Sequence, residues 1–175
     1  MKIDRPGSSE FAPYYGAYIS LVPGTDLLAI LEAQPNVLRR LAEALTPTQE
    51  TYAYAAGKWT VRQVVSHLID AERVFGYRAF RIGRRDQTPL SGFDQDDYVK
   101  QSLLDDVAAV DLAEEFDSVR SGNLTFLRRL TPERWAEMGT ANGNPISVRA
   151  LGYSMAGHVA HHLNSLHERY GLRVD

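Results

Sequence analysis

The stretch "SVRALGYSMAGHVAHHLNSLHERYG", residues 147–171, predicts one long amphipathic helix. Ser147 is a favourable N-cap residue, and Gly171 is typical of the residue at which a helix ends in the left-handed conformation. Apolar side chains recur between them at helical spacing and form one stripe: Val148, Leu151, Met155, Val159, Leu163 and Leu166. Because such a stripe must be buried against other elements, the stretch favours a fold built from packed helices.

Three further helices are predicted by the same periodicity. One begins at the capping box formed by Thr60 and Gln63. Another runs from about Asp26 to Leu45, with Pro35 either kinking or dividing it, and the last runs from about Asp111 to Leu130. Strand signals are poor throughout the chain. The pattern therefore predicts an all-α protein with a four-helix bundle.

A long connection, residues 83–110, separates the helix that begins at Thr60 from the helix that begins near Asp111. It contains the turn-rich piece "GRRDQTPLSGF" and then a short helical stretch near Asp94–Leu104. The chain also half-repeats itself, because "LTPTQE" (45–50) precedes "TVRQ" (60–63) as "LTPERW" (130–135) precedes "SVRA" (147–150). Two halves could pack about a pseudo-twofold axis, or the matches could reflect shared capping chemistry alone.

Composition limits the class of protein. The 175 residues fit one domain, residues 1–175, and the net charge of −3 with scattered basic residues argues against nucleic acid as a partner. No apolar run reaches the roughly 20 residues of a membrane span, and the polar start "MKIDRPGSSE" lacks a signal-peptide core, so we expect a cytoplasmic protein. The absence of cysteine excludes disulfides, a thiolate nucleophile and cysteine-ligated zinc.

Four of the five histidines lie in the quoted stretch, and a helical wheel separates them. His162 lies roughly 40° and His158 roughly 80° from the apolar stripe on one side, whereas His161 and His167 lie roughly 100° or more away. His158 and His162 are spaced i, i+4, so their imidazoles can converge on one ion. If the two capped helices lie side by side, His67 could complete a three-histidine face.

Other interpretations of these residues remain open. A pair spaced i, i+4 also occurs by chance, with one imidazole solvated and the other hydrogen-bonded. Ser66 points away from His67 on the wheel, so a serine triad has no support. Asp70 and Glu72 could accept the second N–H of a metal-bound imidazole. For Glu72, an ion pair with Arg78 or Arg81 of the same predicted helix is an equally good explanation.

The segments "GKWTVRQVVSHLIDAERVFGYRAFRIGRRDQTPLSGFDQDDYV" (57–99) and 147–171 together resemble the DinB-like superfamily. Its members are small metal-binding four-helix bundles, distinct from the DNA polymerase that shares the name. The resemblance implies an up-down-down-up topology, which would explain the long crossover between helices 2 and 3. It also implies that His67, with the first and last histidines of "HVAHH", His158 and His162, holds a divalent ion, with Zn²⁺ or Ni²⁺ expected.

Relatives in that superfamily include thiol-S-transferases that use bacillithiol or a related thiol, and a mycothiol-dependent isomerase. The resemblance therefore implies a metal-dependent transferase whose partners are a small-molecule thiol and an electrophile, with no catalytic side chain assigned. The loop Thr88–Phe93 is expected on the electrophile's side of the site. A metal-dependent hydrolase and a metal-binding module without turnover are the alternatives.

Two further expectations concern the assembly and the pH dependence. The superfamily's habit predicts a homodimer, for which "FAPYYGAYISLV" (11–22) offers an apolar contact unless it packs over its own bundle. Because ligation requires unprotonated imidazole, metal affinity should fall below about pH 6.5, the ordinary histidine pKa.

Overall fold

The computed structural model describes residues 2–173, in which eight α-helices and two strands are assigned. In chain order they are α1 Gly16–Ser20, α2 Leu27–Glu43, α3 Pro47–Glu50, α4 Val61–Gly83, α5 Gln95–Gln101, α6 Ala109–Leu127, α7 Pro132–Trp135, β1 Met138–Ala141, β2 Asn144–Ser147 and α8 Val148–Tyr170. Two 3₁₀ turns, Ser8–Glu10 and Pro13–Tyr15, precede α1. Among residues 2–173, no helix combines the length and apolarity that crossing a membrane requires.

The four long helices α2, α4, α6 and α8 form the predicted four-helix bundle. Helix α4 packs against α8 and α6, and α2 packs against α6 and α8, so α2 and α4 lie on one diagonal. The up-down-down-up topology is confirmed, and the crossover between α4 and α6 spans residues 84–108 with α5 inside it.

The helix ends follow the local chemistry of the sequence. The Thr60 side chain accepts from the Gln63 backbone N–H at 3.2 Å, while the Gln63 amide oxygen accepts from the Thr60 N–H at 2.9 Å. Ser147 caps α8 by accepting from the Ala150 N–H at 3.0 Å. Gly171 ends that helix with φ +70°, a conformation that favours glycine. Pro35 lies inside α2 without dividing it.

Both halves of the chain repeat one order of elements. A long helix is followed by a short helix capped by Thr46 or Thr131, then by a linker and a second capped long helix. The half-repeat in the sequence therefore corresponds to a repeated element order, and shared capping chemistry accounts for its best-matched residues.

A two-stranded antiparallel hairpin, β1 with β2, is the element that the sequence analysis missed. Its turn residues Asn142 and Gly143 have φ +50° and +72°, so the Asn-Gly pair was the available signal. The crossover is tied to this hairpin because the Leu90 N–H donates to the Thr140 carbonyl at 2.9 Å. Residues of the crossover and of the hairpin turn are thereby brought beside α4.

A buried ion pair links α4 to α6 between two apolar clusters. The Arg120 guanidinium makes two hydrogen bonds of 2.8 Å to the Glu72 carboxylate, and it also donates to Gln34 Oε1 at 2.9 Å. Neither Arg78 nor Arg81 pairs with Glu72, so that prediction was wrong. A helical wheel considers only one helix at a time, whereas the true partner lies on α6.

The N-terminal segment packs over its own bundle rather than presenting a continuous apolar surface. Tyr15, Ile19 and Val22 are buried. Helix α1 contacts α8 at Gly157, where a Cβ atom would lie 2.0 Å from the Tyr18 carbonyl oxygen. Only glycine permits this approach, which brings the tyrosines of the segment to the middle of α8.

Candidate metal centre

Three histidines from two neighbouring helices meet at the junction of the two apolar clusters. His67 lies on α4, and His158 and His162 lie one turn apart on α8. His67 and His158 are buried, and His162 is half-buried. The structure therefore brings together the three residues that the sequence analysis selected, with one ring nitrogen of each within 4.8 Å of the others.

The ring nitrogens converge at a single point. His158 Nε2 lies 3.0 Å from His67 Nε2 and 3.1 Å from His162 Nε2. A neutral imidazole nitrogen carries either one proton or one lone pair, so His158 Nε2 cannot form a full hydrogen bond to both neighbours. An ion that accepts lone pairs from all three nitrogens would satisfy them together, and three imidazoles are a donor set suited to Zn²⁺ or Ni²⁺.

The electrostatic environment keeps these imidazoles in the form that binds cations. Burial lowers the pKa of His67 to about 4 and that of His162 to about 3, and neighbouring histidines add to the effect. The pKa of His158 is lowered well below its ordinary value by burial and then by His162 and His67. All three rings are therefore neutral near pH 7. The fall of metal affinity expected below about pH 6.5 should therefore begin at lower pH, because burial keeps these rings unprotonated.

Aromatic rings surround the three histidines. Trp59 lies 4.8 Å from His67 between ring centroids, and Tyr18 and Phe75 lie 5.3 and 5.8 Å from His158. Burial raises the pKa of Tyr18, so its hydroxyl stays protonated. This lining limits the water around the ring nitrogens and strengthens electrostatic interactions there.

The two remaining histidines of α8 lie outside the cluster, as the wheel predicted. His161 is exposed and packs edge-on against Tyr18 and His162. The Nδ1 atom of His167 lies 3.0 Å from the Leu172 carbonyl oxygen near the end of the helix. His161 is thus a natural control for substitutions in the cluster.

The carboxylates expected to orient the imidazoles do not do so. Glu72 is committed to Arg120, and no hydrogen bond joins Asp70 to a histidine among residues 2–173. The buried Nδ1 atom of His67 has no hydrogen-bond partner in the described chain. The α4 and α8 backbones and the aromatic packing therefore position these rings.

A cavity of about 210 Å³ opens beside His67 and His158. Its other lining residues come from the N-terminal segment, α4, the crossover and the hairpin turn: Tyr14, Tyr15, Tyr18, Ala71, Phe75, Arg78, Phe93, Gln95 and Asn142. No carboxylate of the described residues lines it. The sequence analysis missed Asn142 and the tyrosines, which converge here only through the hairpin and the N-terminal packing.

The sequence model of the DinB superfamily matches residues 30–166, which cover all four long helices except the ends of α2 and α8. This chain belongs to the DinB superfamily. His67 and the "HVAHH" segment, 158–162, lie within the matched range, and they supply the three converging imidazoles.

Curated relatives of this DinB-superfamily protein come from Bacillus species. A protein of Bacillus pumilus named "Putative metal-dependent hydrolase" is 27% identical over 138 residues, 77% of each chain. "Putative metal-dependent hydrolase YfiT" of Bacillus subtilis is 37% identical over 62 residues, which span 35% of this chain and 34% of that relative. The matched segment therefore covers about a third of YfiT.

Solved structures show the same fold over a longer range. YfiT from Bacillus subtilis, described as "a probable metal-dependent hydrolase with an unusual four-helix bundle topology", superposes with a TM-score of 0.72 at 22% identity, over 98% of this chain and 95% of that one. The DinB-like protein YjoA of Bacillus subtilis gives a TM-score of 0.58 at 17% identity, over 84% and 91% of the two chains.

Proposed function

We propose that His67, His158 and His162 bind one divalent ion and that the protein is a metal-dependent enzyme that joins a low-molecular-weight thiol to an electrophile. The observation that carries the proposal is the convergence of three neutral ring nitrogens beside a cavity. A divalent ion held by neutral ligands keeps its full double charge, which stabilises a thiolate at neutral pH. Zn²⁺ and Ni²⁺ are the ions that we expect.

The chain's own residues are consistent with thiol transfer. With no cysteine in the chain, the reacting sulfur must arrive with a cosubstrate. The cavity beside His67 and His158 has aromatic and neutral polar walls with Arg78, whereas Asp96 lines a second cavity beside His162, so the carboxylates do not separate transfer from hydrolysis. Tyr18 and Phe75 form aromatic walls that exclude water, and the protonated Tyr18 hydroxyl is available as a hydrogen-bond donor. The loop Thr88–Phe93 contributes Phe93 to the same cavity, which supports its expected position on the electrophile's side.

Metal-dependent hydrolysis is the second candidate. It is favoured by the names of the Bacillus relatives, which are called metal-dependent hydrolases. A site that stabilises a thiolate can also lower the pKa of water, so the donor set alone does not separate the two reactions. If neither reaction is catalysed, the protein binds a metal ion without turning over a substrate.

The test compares wild type, metal-free protein and His158→Ala, with His161→Ala as the matched control. Each is given monobromobimane with bacillithiol, glutathione or cysteine, and each is separately assayed for ester and amide hydrolysis without thiol. Transfer that requires both the metal and a thiol, and that His161→Ala retains, supports the proposal. Metal-dependent hydrolysis with no thiol requirement would establish the second candidate, and no turnover with any thiol would overturn the transferase.

A further inference from the structure

Arg78 is a buried cation for which the described residues provide no carboxylate. Its side chain is 3% exposed, and its guanidinium donates to the Ser91 carbonyl at 2.7 Å and to the Tyr15 hydroxyl at 3.4 Å. No Asp or Glu among residues 2–173 lies within ion-pair distance of it. The arginines one turn away on α4 differ, because Arg73 pairs with Glu115 and Arg81 pairs with Asp86. Burying a charge without a counter-charge is costly, so a site that retains one invites an anion.

The guanidinium faces the same cavity as the histidines. Arg78 lines the 210 Å³ cavity beside His67 and His158, and it also lines a second cavity of about 560 Å³ under the loop Thr88–Phe93. A guanidinium carries five N–H donors, and two protein acceptors are recorded for Arg78, so donors remain for a ligand. The Ser91 carbonyl and the Tyr15 hydroxyl hold the guanidinium at the wall of the two cavities.

We propose that Arg78 binds a carboxylate or phosphate group of the small molecule that reacts at the three histidines, so that the substrates of this site are anionic. Planar guanidinium forks recognise both groups through paired hydrogen bonds. Arg78 and His67 lie on the same helix, α4, and line the same 210 Å³ cavity, so one bound molecule can contact the guanidinium and the histidine cluster together. The reactive role of the histidines rests on the proposed function, whereas anion binding by Arg78 does not.

The anionic group could belong to the thiol or to the electrophile, and two matched pairs of probes distinguish these sources. For the thiol, 3-mercaptopropionate is compared with neutral 2-mercaptoethanol. For the electrophile, 4-chloro-3,5-dinitrobenzoate is compared with neutral 1-chloro-2,4-dinitrobenzene. Each compound is titrated alone into Zn²⁺-loaded protein by isothermal calorimetry. Because thiol and haloarene are never mixed, the measurement reports binding without turnover.

We expect at least one anionic probe to bind wild type about tenfold or more tightly than its neutral partner, as for a charged hydrogen-bonded pair. Arg78→Gln should abolish that preference, and Arg78→Lys should retain part of it because it keeps the charge without the fork. Arg128→Gln is the matched control, since it removes an exposed arginine that pairs with Glu32 and lines neither cavity. Inorganic phosphate should compete with the anionic probe and not with the neutral one, a test that needs no variant.

Equal binding of both members of each pair to wild type would overturn the proposal, as would a preference that survives Arg78→Gln or disappears in Arg128→Gln. The haloarene titrations are repeated on metal-free protein to separate this inference from the proposed function. A preference that depends on Arg78 in metal-free protein supports the anion site even where thiol transfer fails. Thiol transfer without any charge preference would support the proposed function and overturn the role of Arg78.

Discussion

The imidazole of His158 shows at the scale of single residues why the cluster suits a cation. Its Nε2 atom lies at hydrogen-bond distance from two other ring nitrogens and can satisfy only one of them with a proton. Its burial among Tyr18 and Phe75 also makes the protonated ring costly. The buried cluster of three neutral imidazoles therefore destabilises the metal-free folded chain, and a bound ion would offset this loss of stability.

The stability of the metal-free protein should depend on pH through these histidines. The pKa of His67 is about 4 in the folded chain and ordinarily 6.5. Between pH 6.5 and pH 4, His67 is protonated in the unfolded chain and neutral in the folded one. Its contribution to the stability of the folded protein is therefore fully present above pH 6.5 and is lost as the pH falls toward 4. For His67 alone, the loss in the free energy of unfolding from pH 7.5 to pH 5.5 should be on the order of 1 kcal/mol.

Urea unfolding of metal-free wild type and His67→Gln at both pH values measures this difference. Glutamine cannot titrate there, so the variant should lose less stability on acidification than wild type. Parallel losses in the two proteins would show that His67 is not held neutral by burial.

Which residues could be predicted depended on whether their partners lie on the same helix. The wheel separated His158 and His162 from His161 correctly, because the direction of a side chain on one helix follows from its position. The Arg120–Glu72 pair and the cavity position of Arg78 depend on how different elements pack. Neither the ion pair nor the position of Arg78 can be predicted from the pattern of residues along one helix.

At the scale of elements, the long helices were predictable because caps and apolar stripes are local. The crossover was predicted as a connection with a short helical stretch near Asp94–Leu104, and the observed α5 begins after Asp94 and ends at Gln101. The hairpin was missed because four-residue strands give little alternation, although Asn142-Gly143 marks its turn. That element matters for the site, since its turn brings Asn142 to the cavity.

Gly157→Ala should destabilise the packing of α1 on α8. The new Cβ atom would lie 2.0 Å from the Tyr18 carbonyl oxygen, so the N-terminal segment must shift. We expect a loss of about 1–3 kcal/mol in the free energy of unfolding, as for other overpacked contacts. Gly122→Ala is the control: its Cβ would meet nothing within 4 Å on the exposed face of α6, so helix propensity should leave stability unchanged or raise it. Urea unfolding of both variants measures the difference, and equal stabilities would contradict the packing described.

At the scale of the whole molecule, the N-terminal segment completes the site instead of forming the expected apolar surface. Its tyrosines line the cavity. The Arg5 guanidinium donates hydrogen bonds to the Ile19 and Val22 carbonyls and so stabilises the segment. The sequence left both alternatives open because a short apolar stripe does not indicate whether its own bundle or a second chain covers it. Through Tyr18 the segment lies beside His158 at the wall of the cavity.

A homodimer remains our prediction for the assembly. Most of the apolar side chains between residues 11 and 22 are used inside the chain, so a dimer must rely on other exposed groups such as Tyr77 and Phe80. Light scattering at micromolar concentration should give about 39 kDa, twice the chain mass of 19.6 kDa. A mass near that of one chain would exclude a stable dimer.

The metal content of untagged protein decides whether His67, His158 and His162 bind an ion. Elemental analysis is made on wild type, on His67→Ala, His158→Ala and His162→Ala, and on His161→Ala as the control from the same helix. The account predicts one divalent ion per chain in wild type and in His161→Ala, and loss of the ion in each of the other three, because two imidazoles bind too weakly to retain it. Full occupancy in His162→Ala, or no ion in wild type supplied with Zn²⁺ or Ni²⁺, would contradict it.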